Sequence, residues 1–136
     1  MKPKKRILII DDEAGFTRLL KLNLEATGDY EVREENWGPN GPGAAREFQP
    51  DLILLDVMMP GMDGGAVAER VQADRSLKFV PIVFLTAAVK QEEVTAHAGR
   101  IGGFPFIAKP ISLSKVIEVI EQNLLRERRV SGDTEP

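Results

Sequence analysis

Short apolar runs alternate along this chain with segments whose apolar residues recur every three or four positions, the pattern of a parallel sheet covered on both faces by helices. Five runs read as strands: Arg6 to Ile10, Tyr30 to Glu34, Leu52 to Leu55, Ile82 to Leu85 and Phe104 to Ala108. Several are continuously apolar, as strands buried on both faces require. Between them, Phe16, Leu19, Leu20 and Leu24 predict a first helix with a broad apolar face, stopped by Gly28. A third helix is predicted to start near Gly64 with Val67, Ala68 and Val71 facing in, and a loosely held, polar fourth around Gln91 to Ala98. The last helix carries Leu113, Val116, Ile117, Ile120 and Leu124 after Ser112 as N-cap. The second is the weakest pattern, since Gly38-Pro39-Asn40-Gly41-Pro42-Gly43 precedes only Ala44, Ala45 and Phe48 before Pro50. That predicts a short helix and the least ordered internal segment.

A length of 136 residues fits one domain able to bury a core without staples, and there is no cysteine for a disulfide or thiolate site. Boundaries are expected at 1–5 for a basic N-terminal extension, 6–127 for the domain and 128–136 for a disordered tail with almost nothing to bury. The apolar run Ile7 to Ile10 is too short for a signal-peptide core or a membrane span, and a cytoplasmic location is expected. With 18 basic and 21 acidic residues the net charge is −3, so direct nucleic-acid binding is not expected; the basic ends read as solvated surface.

Chemistry concentrates at the predicted strand ends. Asp11 and Asp12 follow the first strand, Asp56 the third, Thr86 the fourth and Lys109 the fifth. In an open parallel sheet those ends share one edge, where ligands of such folds bind. Three crowded carboxylates repel one another unless a cation is shared, and oxygen donors without thiols or clustered histidines suit Mg²⁺, with Mn²⁺ as substitute. Thr86 and Lys109 offer a hydroxyl and a fixed positive charge, both suited to a phosphoryl group. The set therefore predicts phosphoryl transfer onto Asp56 as nucleophile.

These residues bring a known family into view. From about Arg6 to Leu125 the chain resembles the receiver domain of bacterial two-component response regulators, in the acidic pair Asp11-Asp12, in Asp56 within Asp-Val-Met-Met-Pro-Gly-Met-Asp-Gly, in Thr86-Ala87 and in Lys109-Pro110. The resemblance implies a flavodoxin-like three-layer α/β sandwich, with a five-stranded parallel sheet in the order 2-1-3-4-5 and about five helices. It implies metal ligation by Asp12, Asp56 and the Met58 carbonyl, with Asp11 acting mainly through water, and often a cis Lys109-Pro110 peptide. Catalysis would be limited to the domain's own phosphoryl transfer to Asp56 and a slow autodephosphorylation by water. The implied partners are a sensor histidine kinase or histidine phosphotransfer protein, a downstream protein target and a phosphorylation-dependent homodimer. The implied switch moves Thr86 toward the phosphoryl group and Phe106 into the vacated space, reshaping the face of the fourth helix, fifth strand and fifth helix.

Departures from the family pattern refine these expectations. Phe106 stands where many relatives carry tyrosine, so packing alone would drive its rotamer, and a plain core role is the competing reading. Pro105, within the unusual stretch from Ala98 to Pro105, suits an edge strand. Met58 and Ala88, two residues beyond Asp56 and Thr86, cannot hydrogen-bond an attacking water through their side chains, which predicts slow loss of the phosphoryl group. His97 reads as a surface group, Trp37 as a loop anchor and Met58, Met59 and Met62 as loop packing. Three other functions compete: a phosphorylation-independent interaction module, the receiver portion of a larger regulator and, more distantly, an aspartyl phosphatase. The last lacks the second carboxylate such an enzyme needs two residues after its nucleophile, where Met58 stands.

Overall fold

The computed structural model describes residues 3–87, 100–101 and 103–130. Five strands lie parallel: β1 (Lys5–Ile10), β2 (Tyr30–Glu35), β3 (Leu52–Asp56), β4 (Ile82–Thr86) and β6 (Phe104–Ala108). A two-residue strand β5 (Arg100–Ile101) pairs antiparallel with β6, giving the order β2-β1-β3-β4-β6-β5. The expected 2-1-3-4-5 arrangement is thus present, with β6 as its fifth strand and β5 added outside it. Pro105 lies opposite Arg100 of β5, while the ladder to β4 begins one residue later at Phe106, so the missing proline N–H interrupts nothing on that side.

Every residue of β3 and β4 is buried, which explains their unbroken apolar runs. Successive strand residues point to opposite faces and feed two cores. On one face Leu8, Ile10, Ile53, Leu55 and Phe84 pack with Ala44, Phe48, Val67 and Val71. On the other, Ile7, Ile9, Leu52, Leu54 and Leu85 pack with Leu20, Leu24, Val116 and Ile120.

Among the described residues four α-helices cover these faces: α1 (Ala14–Ala26), α2 (Gly41–Phe48), α3 (Gly64–Ala73) and α4 (Leu113–Val130). The segment Gln91 to Ala98, predicted as a helix, lies outside the described residues. Gly28 follows α1 with φ +86°. Ser112 caps α4, its Oγ accepting the Lys115 N–H at 3.2 Å. Asp63 caps α3 by accepting the Ala66 N–H at 2.9 Å. Lys5 belongs to β1, and α4 runs to Val130.

Two expectations change. Leu19, predicted on the inward face of α1, is 61% exposed, and the buried stripe narrows to Thr17, Leu20 and Leu24. The glycine- and proline-rich segment, predicted as the least ordered, forms a 3-10 turn (Gly38–Asn40) running directly into α2. Its glycines serve close approach: a Cβ on Gly41 would lie 3.0 Å from Ile10 Cδ1 and 3.1 Å from Val67 Cγ1. Gln49, with φ 52°, then turns the chain out of α2 ahead of buried Pro50.

Gly64 marks the tightest contact near the edge of interest, since a Cβ there would sit 2.4 Å from the Asp56 carbonyl oxygen and 2.9 Å from Val57 Cα. Both are backbone atoms and cannot step aside. Gly64→Ala is expected to lower unfolding free energy by about 2–3 kcal/mol, measured by urea denaturation, whereas Gly43→Ala, where a Cβ meets nothing within 4 Å, should change it far less.

Candidate functional site

Parallel pairing places the carboxyl ends of β1, β3, β4 and β6 on one edge, with Ile10 opposite Leu55, Asp56 opposite Leu85 and Thr86 opposite Ala108. Asp11, Asp12, Asp56, Thr86 and Lys109 sit at or just beyond those ends. The ladder extends into the site, because the Lys109 N–H donates to the Thr86 carbonyl at 2.8 Å. The Lys109-Pro110 peptide is cis. Carboxylate oxygens of Asp11, Asp12 and Asp56 all lie within 4.8 Å of one another. Asp11 and Thr86 are buried, Asp56 is only 6% exposed and Asp12 faces solvent.

Side chains around this cluster fix its charge state. Lys109 Nζ donates to Asp11 Oδ2 at 2.8 Å and to Glu13 Oε1 at 2.9 Å, and lies 4.5 Å from the centre of the Phe16 ring. Burial works to lower the Lys109 pKa, but the hydrogen bonds to Asp11 and Glu13 and the charges of Asp11 and Asp56 hold it above its ordinary value. Among the described residues, Asp56 forms no ion pair. Burial and then the charge of Asp11 push its carboxyl from 3.8 up to about 6, against the opposing pull of Lys109 and of the Met58 N–H, which reaches Asp56 Oδ1 at 3.3 Å. Asp11 is held in place by accepting the Glu13 N–H through Oδ1 and the Asn36 side-chain N–H through its carbonyl.

Glu13 and Phe16 are the residues the sequence reading missed as site components. Glu13 could have been noticed from its position directly after the acidic pair, but a Phe16 ring beneath the lysine needs the turn of α1 to bring it there. The loop after β3 is gripped from the side: a Cβ on Gly61, whose φ is +87°, would sit 2.8 Å from the Trp37 indole, and one on Gly38 would sit 2.9 Å from the Met62 carbonyl oxygen. Trp37, half exposed, is therefore a loop anchor as expected. Met59 is buried and Met62 packs against the core, while Met58 is exposed, so only two of the three methionines are packing residues. Phe106 is buried in the core opposite Phe84, away from solvent. His97 and Ala88 lie outside the described residues.

The donor set fits a hard divalent cation. Three carboxylates, one buried, one nearly so and one solvent-facing, supply oxygen ligands only, which favours Mg²⁺-type ions over zinc. The doubly wound sheet thus carries an acidic cluster at its carboxyl edge with a lysine anchored beside it. A family model for the response regulator receiver domain matches residues 7–121. The chain is 34% identical over 125 residues to the DNA-binding dual master transcriptional regulator RpaA of Synechocystis, covering 92% of this chain and 51% of RpaA. It is 34% identical over 121 residues to the polar-differentiation response regulator DivK of Brucella anthropi, covering 88% of this chain and 96% of DivK. It thus spans about half the length of one relative and nearly all of the other. The crystal structure of a CheY-like response regulator receiver domain protein from Methanospirillum hungatei superposes with a TM-score of 0.77 at 25% identity, covering 93% of this chain and 98% of that one. The chain belongs to the response regulator receiver domain family. No helix among the described residues is long and apolar enough to cross a membrane.

Because the Asp56 pKa is higher in the folded chain than its ordinary value, this group stabilises the fold relative to its ionised form below about pH 4, and that contribution is lost as pH rises through about 6. At neutral pH without divalent metal, Asp56→Asn is expected to raise unfolding free energy by about 2–3 kcal/mol. Urea denaturation in chelator should show the gain shrinking toward pH 4, and added Mg²⁺ should stabilise the wild type while leaving the variant nearly unchanged.

Proposed function

We propose that this receiver accepts a phosphoryl group on Asp56 from a histidine kinase or histidine phosphotransfer protein, and that the modified form binds a downstream protein differently from the free form. The observation that carries this reading is the convergence of Asp11, Asp12 and Asp56 beside Lys109 at one sheet edge. Asp12, Asp56 and the Met58 carbonyl would hold Mg²⁺ or Mn²⁺, with Asp11 acting mainly through water. Bound there, the ion supplies the positive charge that lets neighbouring carboxylates stay ionised beside incoming phosphoryl oxygens.

In the transfer, an Asp56 carboxylate oxygen attacks phosphorus as the phosphorus–nitrogen bond to the donor imidazole breaks. The bonding electron pair returns to the imidazole nitrogen, which is then free to take a proton from water. Lys109, with its charge secured by Asp11 and Glu13, offsets the negative charge of the transferred group, and the Thr86 hydroxyl lies on the neighbouring strand end to donate to it. A phosphoryl group competes with Glu13 for the lysine and draws Thr86 inward, and Phe106 repacks into the space behind it. That population shift alters the face formed by β6 and α4, where a target or a second copy of the chain would bind. We place this exchange in the cytoplasm. The full set of acidic pair, nucleophile, hydroxyl and lysine favours it over a module that signals without phosphorylation. Relatives exist in which the receiver is nearly the whole protein and in which it is about half, so output through an attached domain belongs to the same reading.

A protein donor also needs apolar surface near Asp56. The groove of ≈ 470 Å³ lined by Phe16, Leu19, Leu20, Pro110 and Leu113 adjoins Lys109 and leaves Leu19 exposed. It supports docking of a donor helix there.

Incubation with Mg²⁺ and acetyl phosphate should add one phosphoryl group by intact-protein mass, and Asp56→Asn should add none; an unmodified wild type removes the reading. Leu19→Asp should slow transfer from a phosphorylated donor protein by about tenfold or more while acetyl phosphate labelling is unchanged. Once formed, the phosphoprotein should persist for minutes or longer in Mg²⁺, and decay within seconds would contradict the assignment of Met58 and Ala88 as residues that do not assist the attacking water.

A further inference from the structure

The sheet edge opposite Asp56 carries a second concavity that this chemistry does not use. Beneath the amino ends of β1, β3 and β4 opens a cleft of ≈ 840 Å³, separated from Asp56 by the length of β3, about 17 Å. Val80 and Leu124 line it, and so do Phe79 and Leu125, which stand 56% and 54% exposed. Isolated apolar side chains on a surface need no explanation, but two large ones sharing a cleft do.

The same cleft is lined by Lys4, Arg6 and Arg75. Both of its carboxylates are already engaged: Asp51 Oδ2 accepts the Arg6 backbone N–H at 2.8 Å, and Glu121 takes the Lys5 ammonium at 2.6 Å and the Tyr30 hydroxyl. Among the described residues, none of Lys4, Arg6 and Arg75 makes an ion pair. The Arg6 guanidinium carbon lies 4.4 Å from the centre of the Phe48 ring, and its buried Nε has no hydrogen-bond partner among the described residues. Lys78 adds a further cation 5.1 Å from the Phe79 ring centre. A chain of net charge −3 thus lines this cleft with four cations, Lys4, Lys5, Arg6 and Arg75, against two carboxylates, Asp51 and Glu121, around exposed apolar side chains.

We propose that this cleft docks a short acidic segment of a partner protein, one that places a large apolar side chain between carboxylates. The unpaired cations recognise the carboxylates, and Phe79 and Leu125 bury the apolar anchor. Concavity favours an inserted peptide over the flat surface of a bilayer, and the apolar lining sets the cleft apart from a phosphate-tracking stripe. Its distance from Asp56 leaves the acidic edge open while the partner is held, so the interaction tethers the receiver irrespective of its phosphorylation state.

Panning a display library of random dodecamer peptides on the full chain tests this. Selected peptides should combine Asp or Glu with Leu, Phe or Trp, and their affinities should fall about tenfold or more for Arg75→Glu and for Phe79→Ser. Unfolding midpoints and acetyl phosphate labelling of both variants should match the wild type, showing that they are folded. The proposal is overturned by the absence of enriched acidic peptides or by peptides that bind both variants as tightly as the wild type. Binding of phosphatidylglycerol vesicles or duplex DNA in place of the peptides would overturn it equally.

Discussion

Mutual repulsion among Asp11, Asp12 and Asp56 is the constraint around which this molecule is arranged. Their oxygens approach within 4.8 Å at a rim where water is largely excluded from two of them, and Lys109 is a cation beside them among the described residues. Lys109 is committed to Asp11 and Glu13, and burial together with the charge of Asp11 raises the Asp56 pKa to about 6. A poorly compensated carboxylate is primed to share a divalent ion and to exchange its own charge for a bond. Structural convenience does not explain such an arrangement, because an apolar or amide side chain at position 56 would fold more easily.

Rigidity of the scaffold makes the crowding sustainable. β3 carries Asp56 as its last, fully paired residue, and the Val57 N–H donates to the Leu85 carbonyl at 3.1 Å, continuing the ladder past the carboxylate. Gly64 packs against the same backbone from α3, and Trp37 and Gly38 brace the intervening loop. The Lys109 backbone is tied to Thr86. This bracing holds Asp56 close to Asp11 despite their like charges, a repulsion that a shared cation would relieve.

Much of this was legible in the sequence because it depends on local pattern. Continuous apolar runs gave the central strands to within a residue or two, and the polar residues set directly after them are the ones that meet at one sheet edge, since strand direction alone brings those positions together. The features that escaped depend on tertiary approach. Leu19 satisfies the helical period yet stands outside the buried stripe, because α1 meets the sheet through a narrower face. Gly38 and Gly41 look like flexible punctuation until Met62, Ile10 and Val67 are seen pressing against them. Glu13 reads as one more acidic residue, and only the direction of the Lys109 side chain reveals that it holds the lysine. Phe79 and Arg75, far apart from Lys4 in the chain, share a cleft only once the loop before β4 closes beneath the sheet.

The central claim concerns the charge state of one carboxyl group, which carbon-13 NMR of labelled aspartate can follow directly. Without divalent metal, the Asp56 carboxyl resonance is expected to titrate near pH 6, and saturating Mg²⁺ should move that midpoint below the ordinary aspartate value of 3.8. A midpoint near 3.8 in both conditions would show that the carboxylates neither crowd nor share an ion, and would contradict the account.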